Sequence, residues 1–351
     1  MINKSSETLL SDFRCIDESL VSFLRGKTVA ISGATGFIGS LLARYLNWAD
    51  DEYNLGIHLI LVARNEKKIE TLLPDLIRKD NVLVRLRDFS VTCEPLMDRF
   101  DYLIHTAAIT TSKVMVERPA DVLAVSYNGT KWALDSSRVS PNSKVLYLSS
   151  MEACGHFDTS TVVDERTLGS IDLSSVRSCY PEGKRISELM CLAYKKQYDV
   201  FAVVGRLSQT FGAGILPSEG RVFKQFAMSA IRDEPIVLHT DGLSEGNYVY
   251  SSDALTAILL LLRKGVAGET YNIANEECHT TIKGMAQMVM DEFGGENAKL
   301  IIENADAGKY GYAAPTKMLL SSGKIRVLGW QPRVNLTDAY KKLISFLKEE
   351  N

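Results

Sequence analysis

Tyr180 and Lys184 stand one helical turn apart in the run Cys179-Tyr-Pro-Glu-Gly-Lys-Arg185, and the pair Ser149-Ser150 precedes them by about thirty residues. Positions i and i+4 of a helix share a face, so a phenol and an ammonium would emerge side by side. A tyrosine hydroxyl ordinarily ionises at about 10, and a neighbouring cation favours its phenolate. Such a pair can act as a base toward an alcohol near neutral pH. The chain holds a second Tyr-x-x-x-Lys, Tyr127 and Lys131, and spacing alone does not choose between the two.

A second group of residues has the pattern of a phosphate cradle. Gly33-Ala-Thr-Gly-Phe-Ile-Gly39 directly follows the apolar run Thr28-Val-Ala-Ile-Ser32 and opens a helical pattern. Its first gap is one residue longer than in the usual dinucleotide fingerprint, but the physics is the same. Glycines allow a tight turn and close backbone approach, and the helix N-terminus receives a pyrophosphate. Gly33, Thr35, Gly36, Phe37, Ile38 and Gly39 are therefore candidate cofactor-binding residues, with NAD or NADP expected. At the end of the next apolar run, Val62-Ala-Arg-Asn65, an acidic side chain would grip a ribose 2′-hydroxyl. Neutral Ala63 and cationic Arg64 stand there instead, which suits a 2′-phosphate and favours NADP.

The elements that must position these residues alternate. Strands are expected at Thr28–Ser32, His58–Val62, Val82–Leu86, Tyr102–His105, Lys144–Leu148 and Val200–Gly205. Helices are expected at about 38–48, from about Glu66, at about 119–137 and at 180–198. Strands alternating with helices specify an α/β fold, a Rossmann-type doubly wound parallel sheet. Gly and Pro cluster around Gly212 to Gly220, where the alternation stops and a smaller C-terminal α/β substrate lobe begins. The expected division is a helical extension at 1–26, a cofactor domain at 27–207 with about 245–275, and a substrate lobe at 208–244 and 276–351. In the extension Leu9, Phe13, Ile16, Leu20 and Leu24 recur at helical spacing, predicting an amphipathic helix packed on the body.

Composition narrows the function classes. The 351 residues carry a net charge of -3 with acids and bases interspersed, so there is no basic footprint for nucleic acid or a membrane surface. No apolar run approaches the roughly 20 residues of a membrane span. Six cysteines show neither a CxxC pair nor metal-ligand spacing, so no metal site and a reducing compartment are expected. The acidic N-terminus is unlike a secretory signal. A cytoplasmic protein is expected.

Together the motifs carry a resemblance. The glycine triplet, Asp88-Phe89, His105-Thr-Ala-Ala108, Leu148-Ser-Ser150 and Tyr180 with Lys184 stand in the order of the extended short-chain dehydrogenase/reductases, the nucleotide-sugar epimerases, dehydratases and decarboxylases. The likeness continues through Gly205-Arg-Leu-Ser-Gln-Thr-Phe-Gly212, Tyr248-Val-Tyr-Ser-Ser-Asp253, Tyr271-Asn-Ile-Ala274 and Leu328-Gly-Trp-Gln-Pro332. Within that family, Tyr180-Pro-Glu-Gly-Lys-Arg-Ile-Ser-Glu188 looks most like UDP-glucuronate decarboxylases. The resemblance adds Asp88, Phe89, Ala107 and Ala108 to the cofactor residues. It selects Tyr180 over Tyr127, because the family's base follows its serine by some thirty residues, and it places Ser150 rather than Ser149 at the serine position.

The chemistry the resemblance implies begins with oxidation of a nucleotide-diphosphate sugar at C4. Tyr180 takes the hydroxyl proton, Ser150 binds the reacting oxygen, and Lys184 lowers the phenol pKa and holds the nicotinamide ribose. The 4-ketone then permits decarboxylation, epimerisation or dehydration. Dehydratases of the family carry Thr-Asp-Glu where this chain reads Ser150-Met151-Glu152. Met151 cannot donate a proton, so dehydration is disfavoured, while Glu152 can handle the proton at C5. An arginine common in the family before the strand near 248 is missing, with Gly246 or Asn247 in its place. Gln209, Arg221 and Lys224 are the substrate-binding candidates. An NADPH-dependent keto-sugar reductase and a catalytically silent nucleotide-binding protein are the alternatives. A homodimer through helices near 115–137 and 180–198 is implied as well.

Overall fold

The computed structural model describes residues 6–303 and 315–350. In chain order the first half reads α1 (Glu7–Arg14), β1 (Thr28–Ser32), α2 (Phe37–Tyr53), β2 (His58–Ala63), α3 (Glu66–Leu72), β3 (Val82–Leu86), β4 (Tyr102–His105), α4 (Ser112–Glu117), α5 (Pro119–Val139), β5 (Lys144–Ser150), β6 (Thr161–Val163) and α6 (Cys179–Tyr198). The second half reads β7 (Phe201–Leu207), β8 (Gln209–Phe211), α7 (Val222–Arg232), β9 (Ile236–Leu238), β10 (Glu245–Tyr250), α8 (Ser251–Lys264), β11 (Thr270–Ile273), β12 (Asn275–Thr281), α9 (Ile282–Phe293), β13 (Leu300–Ile302), β14 (Met318–Leu320), α10 (Gly323–Val327) and α11 (Leu336–Glu350).

Seven strands form one sheet in the order β11-β7-β5-β4-β1-β2-β3. Every pairing in it is parallel. The expected Rossmann-type doubly wound sheet is present. Its order reverses between β1 and β4, and the crevice outside the carboxyl ends of strands at such a reversal is where ligands bind in these folds. Smaller sheets, β12-β10-β8, β13-β9 and β14-β6, lie outside it.

Local chemistry sets the helix ends. The Asn65 side chain accepts from Lys68 N and starts α3, and Pro119 occupies the first turn of α5, where its missing N–H costs nothing. α2 and α6 stop at Asn54 and Asp199, both left-handed, with φ of 47° and 56°. These residue types tolerate that conformation better than most. β5 runs two residues further than expected, so Ser149 and Ser150 are strand residues, paired with Arg206 and Leu207 of β7.

The N-terminal segment departs from expectation. α1 stops at Arg14, and the Asp17 side chain accepts from Ser19 N to begin a short 3-10 turn. Asp thus interrupts a helical pattern by capping a new one. Leu9, Phe13, Ile16 and Leu24 are nonetheless buried. Asp12 anchors the segment, accepting from Tyr250 Oη and Lys342 Nζ at 2.7 Å each.

Candidate active site

The glycine loop leaves β1 with Gly33 at φ +70°. A Cβ on Gly33 would lie 2.8 Å from Ala107 Cα, and one on Gly39 would lie 2.2 Å from the Gly33 carbonyl oxygen. Only hydrogen fits at either position. Gly36 caps α2 without a side-chain oxygen, so the first-turn amides of Phe37, Ile38 and Gly39 have no side-chain cap and are available to an anion. This cradle fits a dinucleotide pyrophosphate. Thr106 closes its far wall, donating from Oγ1 to Ser32 O at 2.7 Å.

Beneath the loop lies an aromatic floor. His105 Nδ1 pairs with Ser32 Oγ at 2.7 Å, and its ring stacks on Tyr147 at 5.8 Å. Burial first, and then the charge of Lys184, push His105 down to about 3, so the ring is neutral. Phe89 is committed to this floor, packing on Trp132 at 5.0 Å. Asp88 accepts from Ser90 N at 3.0 Å, and Arg64 is exposed within electrostatic reach of it.

Tyr180 and Lys184 emerge from the first turns of α6, and both are buried. Lys184 Nζ donates to Leu148 O at 2.8 Å and stands 4.9 Å over the Tyr147 ring and 5.8 Å from the Tyr180 ring centre. Burial pulls Lys184 down to about 8, against the opposing carboxylate of Glu188. Tyr180 is pushed up to about 12 by burial and by the Glu152 carboxylate. A hydrogen bond with the Ser150 side chain and the charges of Arg221 and Arg177 act in the opposite direction. The expectation that Lys184 itself pulls the phenol down has no counterpart in these balances. Burial and the Glu152 carboxylate together favour the protonated phenol.

Strand alternation separates the two serines. Ser150 serves Tyr180 and caps the turn at Glu152 N, at 3.2 Å. Ser149 turns to the other side and donates to Glu188 at 2.5 Å. Met151 is buried among Cys154, Val163, Ala274, Met318 and Leu320, so the position after Ser150 is apolar core. The rival pair lies elsewhere. Tyr127 is 47 % exposed, and Lys131 is paired with Asp135 on its own helix.

The substrate candidates separate. Arg221 acts on the Tyr180 hydroxyl while its fork holds Glu219 at 3.0 and 2.7 Å. Gln209 opens β8 opposite Tyr248. Lys224 donates to Pro217 O at 2.6 Å and lines a surface depression of about 270 Å³ with Glu219, Met228 and Arg232. No residue of the glycine loop, and neither Ser150 nor Tyr180, lines that depression. Asn247 is buried and accepts from Leu320 N at 2.7 Å, so β10 brings no cation to the site.

Two arrangements escaped sequence reasoning. Arg177, three residues before Tyr180, grips Glu152 through Nη1 and Nη2 at 2.6 and 3.1 Å. Arg206 grips Glu188 at 2.9 and 2.7 Å. The only available signal for the second was its place in the Gly205-Arg-Leu motif.

The sheet, the cradle and the Tyr–Lys–Ser group define an NAD(P)-binding enzyme of the extended short-chain dehydrogenase/reductase type. Residues 29–274 match the model of the NAD dependent epimerase/dehydratase family, and the chain belongs to that family. It is 26 % identical over 335 residues to UDP-glucuronic acid decarboxylase 1 of Danio rerio, covering 92 % of this chain and 73 % of that one. It is 27 % identical over 320 residues to UDP-glucuronic acid decarboxylase 3 of Arabidopsis thaliana, covering 88 % and 86 %. Among solved structures, the fold matches UDP-glucose 4-epimerase of Thermotoga maritima with a TM-score of 0.76 at 21 % identity, covering 92 % and 99 %. It also matches UDP-glucuronic acid 4-epimerase of Bacillus cereus with a TM-score of 0.74 at 20 % identity, covering 92 % and 100 %. No helix among the described residues is long and apolar enough to cross a membrane.

Proposed function

We propose that this chain oxidises a nucleoside-diphosphate sugar, of the uridine type its relatives' names suggest, at C4, then decarboxylates or epimerises the 4-keto sugar. The main support is the convergence of a buried phenol, the Ser150 hydroxyl and the buried Lys184 at the carboxyl end of β5. The Gly33–Gly39 cradle would hold NAD(P), which would supply a reversible hydride acceptor for C4. Tyr180 takes the C4 hydroxyl proton, and Ser150 binds the same oxygen. Lys184 would hold the nicotinamide ribose. A positive ligand beside Tyr180 favours its phenolate, offsetting the burial that holds it protonated. If C5 carries a carboxylate, cleavage of that C–C bond leaves its electron pair delocalised onto the C4 oxygen. CO2 leaves and a proton is added at C5, with Glu152 in reach of the site. Dehydration has less support, because Met151 is packed into apolar core. Residues 208–244 and 276–351 form the substrate lobe in this reading.

The test is a panel of UDP-, CDP-, dTDP- and GDP-sugars with and without NADPH, read by mass spectrometry and NMR. Loss of CO2, or unchanged mass with altered ring couplings, is expected. Net gain of two hydrogens with NADPH oxidation would instead establish the reductase. No turnover on any sugar would sink the reading.

Arg64, exposed at the end of β2, supports NADP over NAD, since a guanidinium binds a phosphate bidentately. Arg64→Asp is expected to shift the ratio of NADP to NAD affinity by roughly tenfold or more toward NAD. An unchanged ratio in titrations of both cofactors would remove the preference. A homodimer through α5 and α6 is supported by exposed Leu123, Tyr127, Ile186, Leu189 and Leu192, with Leu189 58 % and Leu192 50 % exposed. Light scattering should show Leu189→Glu as a monomer; a wild-type monomer would end this proposal.

A further inference from the structure

We propose that Arg177 selects an acidic sugar by binding the carboxylate carried on C5 of the substrate, an inference that rests on the reading of Tyr180 as the group that binds the C4 hydroxyl. C5 is bonded to C4, so whatever recognises its substituent must stand beside the Tyr180 hydroxyl. The charged groups acting on that hydroxyl are Glu152, Arg221 and Arg177. Arg221 is more than a third exposed, and its Nε and Nη2 are taken by Glu219. β10, Glu245–Tyr250, brings no cation.

Arg177 differs from Arg221 in what it has left. Its side chain is 14 % exposed, and Glu152 occupies only the Nη1/Nη2 edge of the guanidinium. Nε is buried and has no hydrogen-bond partner among the described residues. A planar guanidinium can serve a carboxylate on each of two edges, and a buried donor without a partner is costly to leave so. A sugar carboxylate on the Nε/Nη2 edge satisfies that donor, and a neutral hydroxymethyl group meets it far less well. Glu152 orients the fork and, across the same guanidinium, stays beside C5, where a proton must be handled.

The experiment measures binding by calorimetry in the full chain with NAD present. Tyr180→Phe serves as background so that no sugar is consumed. The ligands are UDP-glucuronate, UDP-glucose and UDP. Adding Arg177→Met is expected to weaken UDP-glucuronate by roughly 100-fold while UDP-glucose and UDP change by less than about threefold. Arg177→Lys keeps the charge without the fork and should fall between. Equal weakening of all three ligands would make Arg177 a clamp for Glu152 alone, and no weakening of UDP-glucuronate would remove it from the sugar site. Either overturns the inference and leaves the nucleotide-sugar reading standing. Failure of the Tyr180→Phe background to bind UDP or either sugar overturns both.

Discussion

Tyr180→Phe is expected to lower the rate of C4 oxidation by roughly 100- to 10,000-fold, the range a positioned acid–base group contributes. The substitution removes one oxygen from a buried ring and leaves the ring's packing against Met115, Val122 and Cys179 intact. Cofactor affinity and melting temperature should therefore hold to within about 1–2 °C. Cofactor reduction in a single turnover reads the step directly. Because burial and Glu152 hold the phenol up at about 12 while Lys184 sits at about 8, the wild-type rate should climb with pH across the neutral range as phenolate accumulates. Loss of the Lys184 charge above about 8 should flatten that rise. Tyr127→Phe is the matched control, since Tyr127 is half-exposed on α5 and its helix neighbour Lys131 is paired with Asp135. Full activity in Tyr180→Phe with loss in Tyr127→Phe would reverse the assignment.

What the sequence allows a reader to see here is what local pattern and short spacing encode. β1 and the glycine cradle follow from an apolar run ending in residues that only hydrogen atoms permit. Tyr180 and Lys184 share a face because four residues make a turn. The pairs Arg177–Glu152 and Arg206–Glu188 were not visible, because each joins elements through a loop or across a strand that spacing does not constrain. Tertiary contact also decided between the serines. Neighbours on a strand face opposite ways, so Ser150 reached the phenol and Ser149 reached Glu188. The broken N-terminal helix has the same origin at a smaller scale, since Asp17 prefers capping Ser19 to continuing a helix whose apolar spacing suits it. The phenol's upward shift was hidden too, for burial is a property of the packed molecule and outweighs the Ser150 hydrogen bond and the charges of Arg221 and Arg177.

Arg206→Met should destabilise the fold by roughly 3–5 kcal/mol, the cost of leaving one partner of a buried ion pair without the other. Arg206 and Glu188 are 5 % and 11 % exposed, with both contacts of the fork made. Burial disfavours the charge on Arg206, yet Glu188 more than restores it. Removing the guanidinium strands a carboxylate that also receives Ser149 and supports the charge of Lys184 one turn earlier on α6. The double variant Arg206→Met/Glu188→Gln removes both charges and should recover most of the loss, since replacing a buried pair entirely is often nearly neutral. Urea unfolding of the two single variants and the double variant measures the coupling. The recovered double variant should still differ from wild type in its pH profile. Without the Glu188 carboxylate, the burial of Lys184 loses its opposing charge, so its ammonium is lost at lower pH and the alkaline limb of the rate moves down with it. Equal stability losses in the single and double variants would show that packing around these side chains, rather than their charges, holds β7 to α6. An unmoved alkaline limb would separate Glu188 from Lys184.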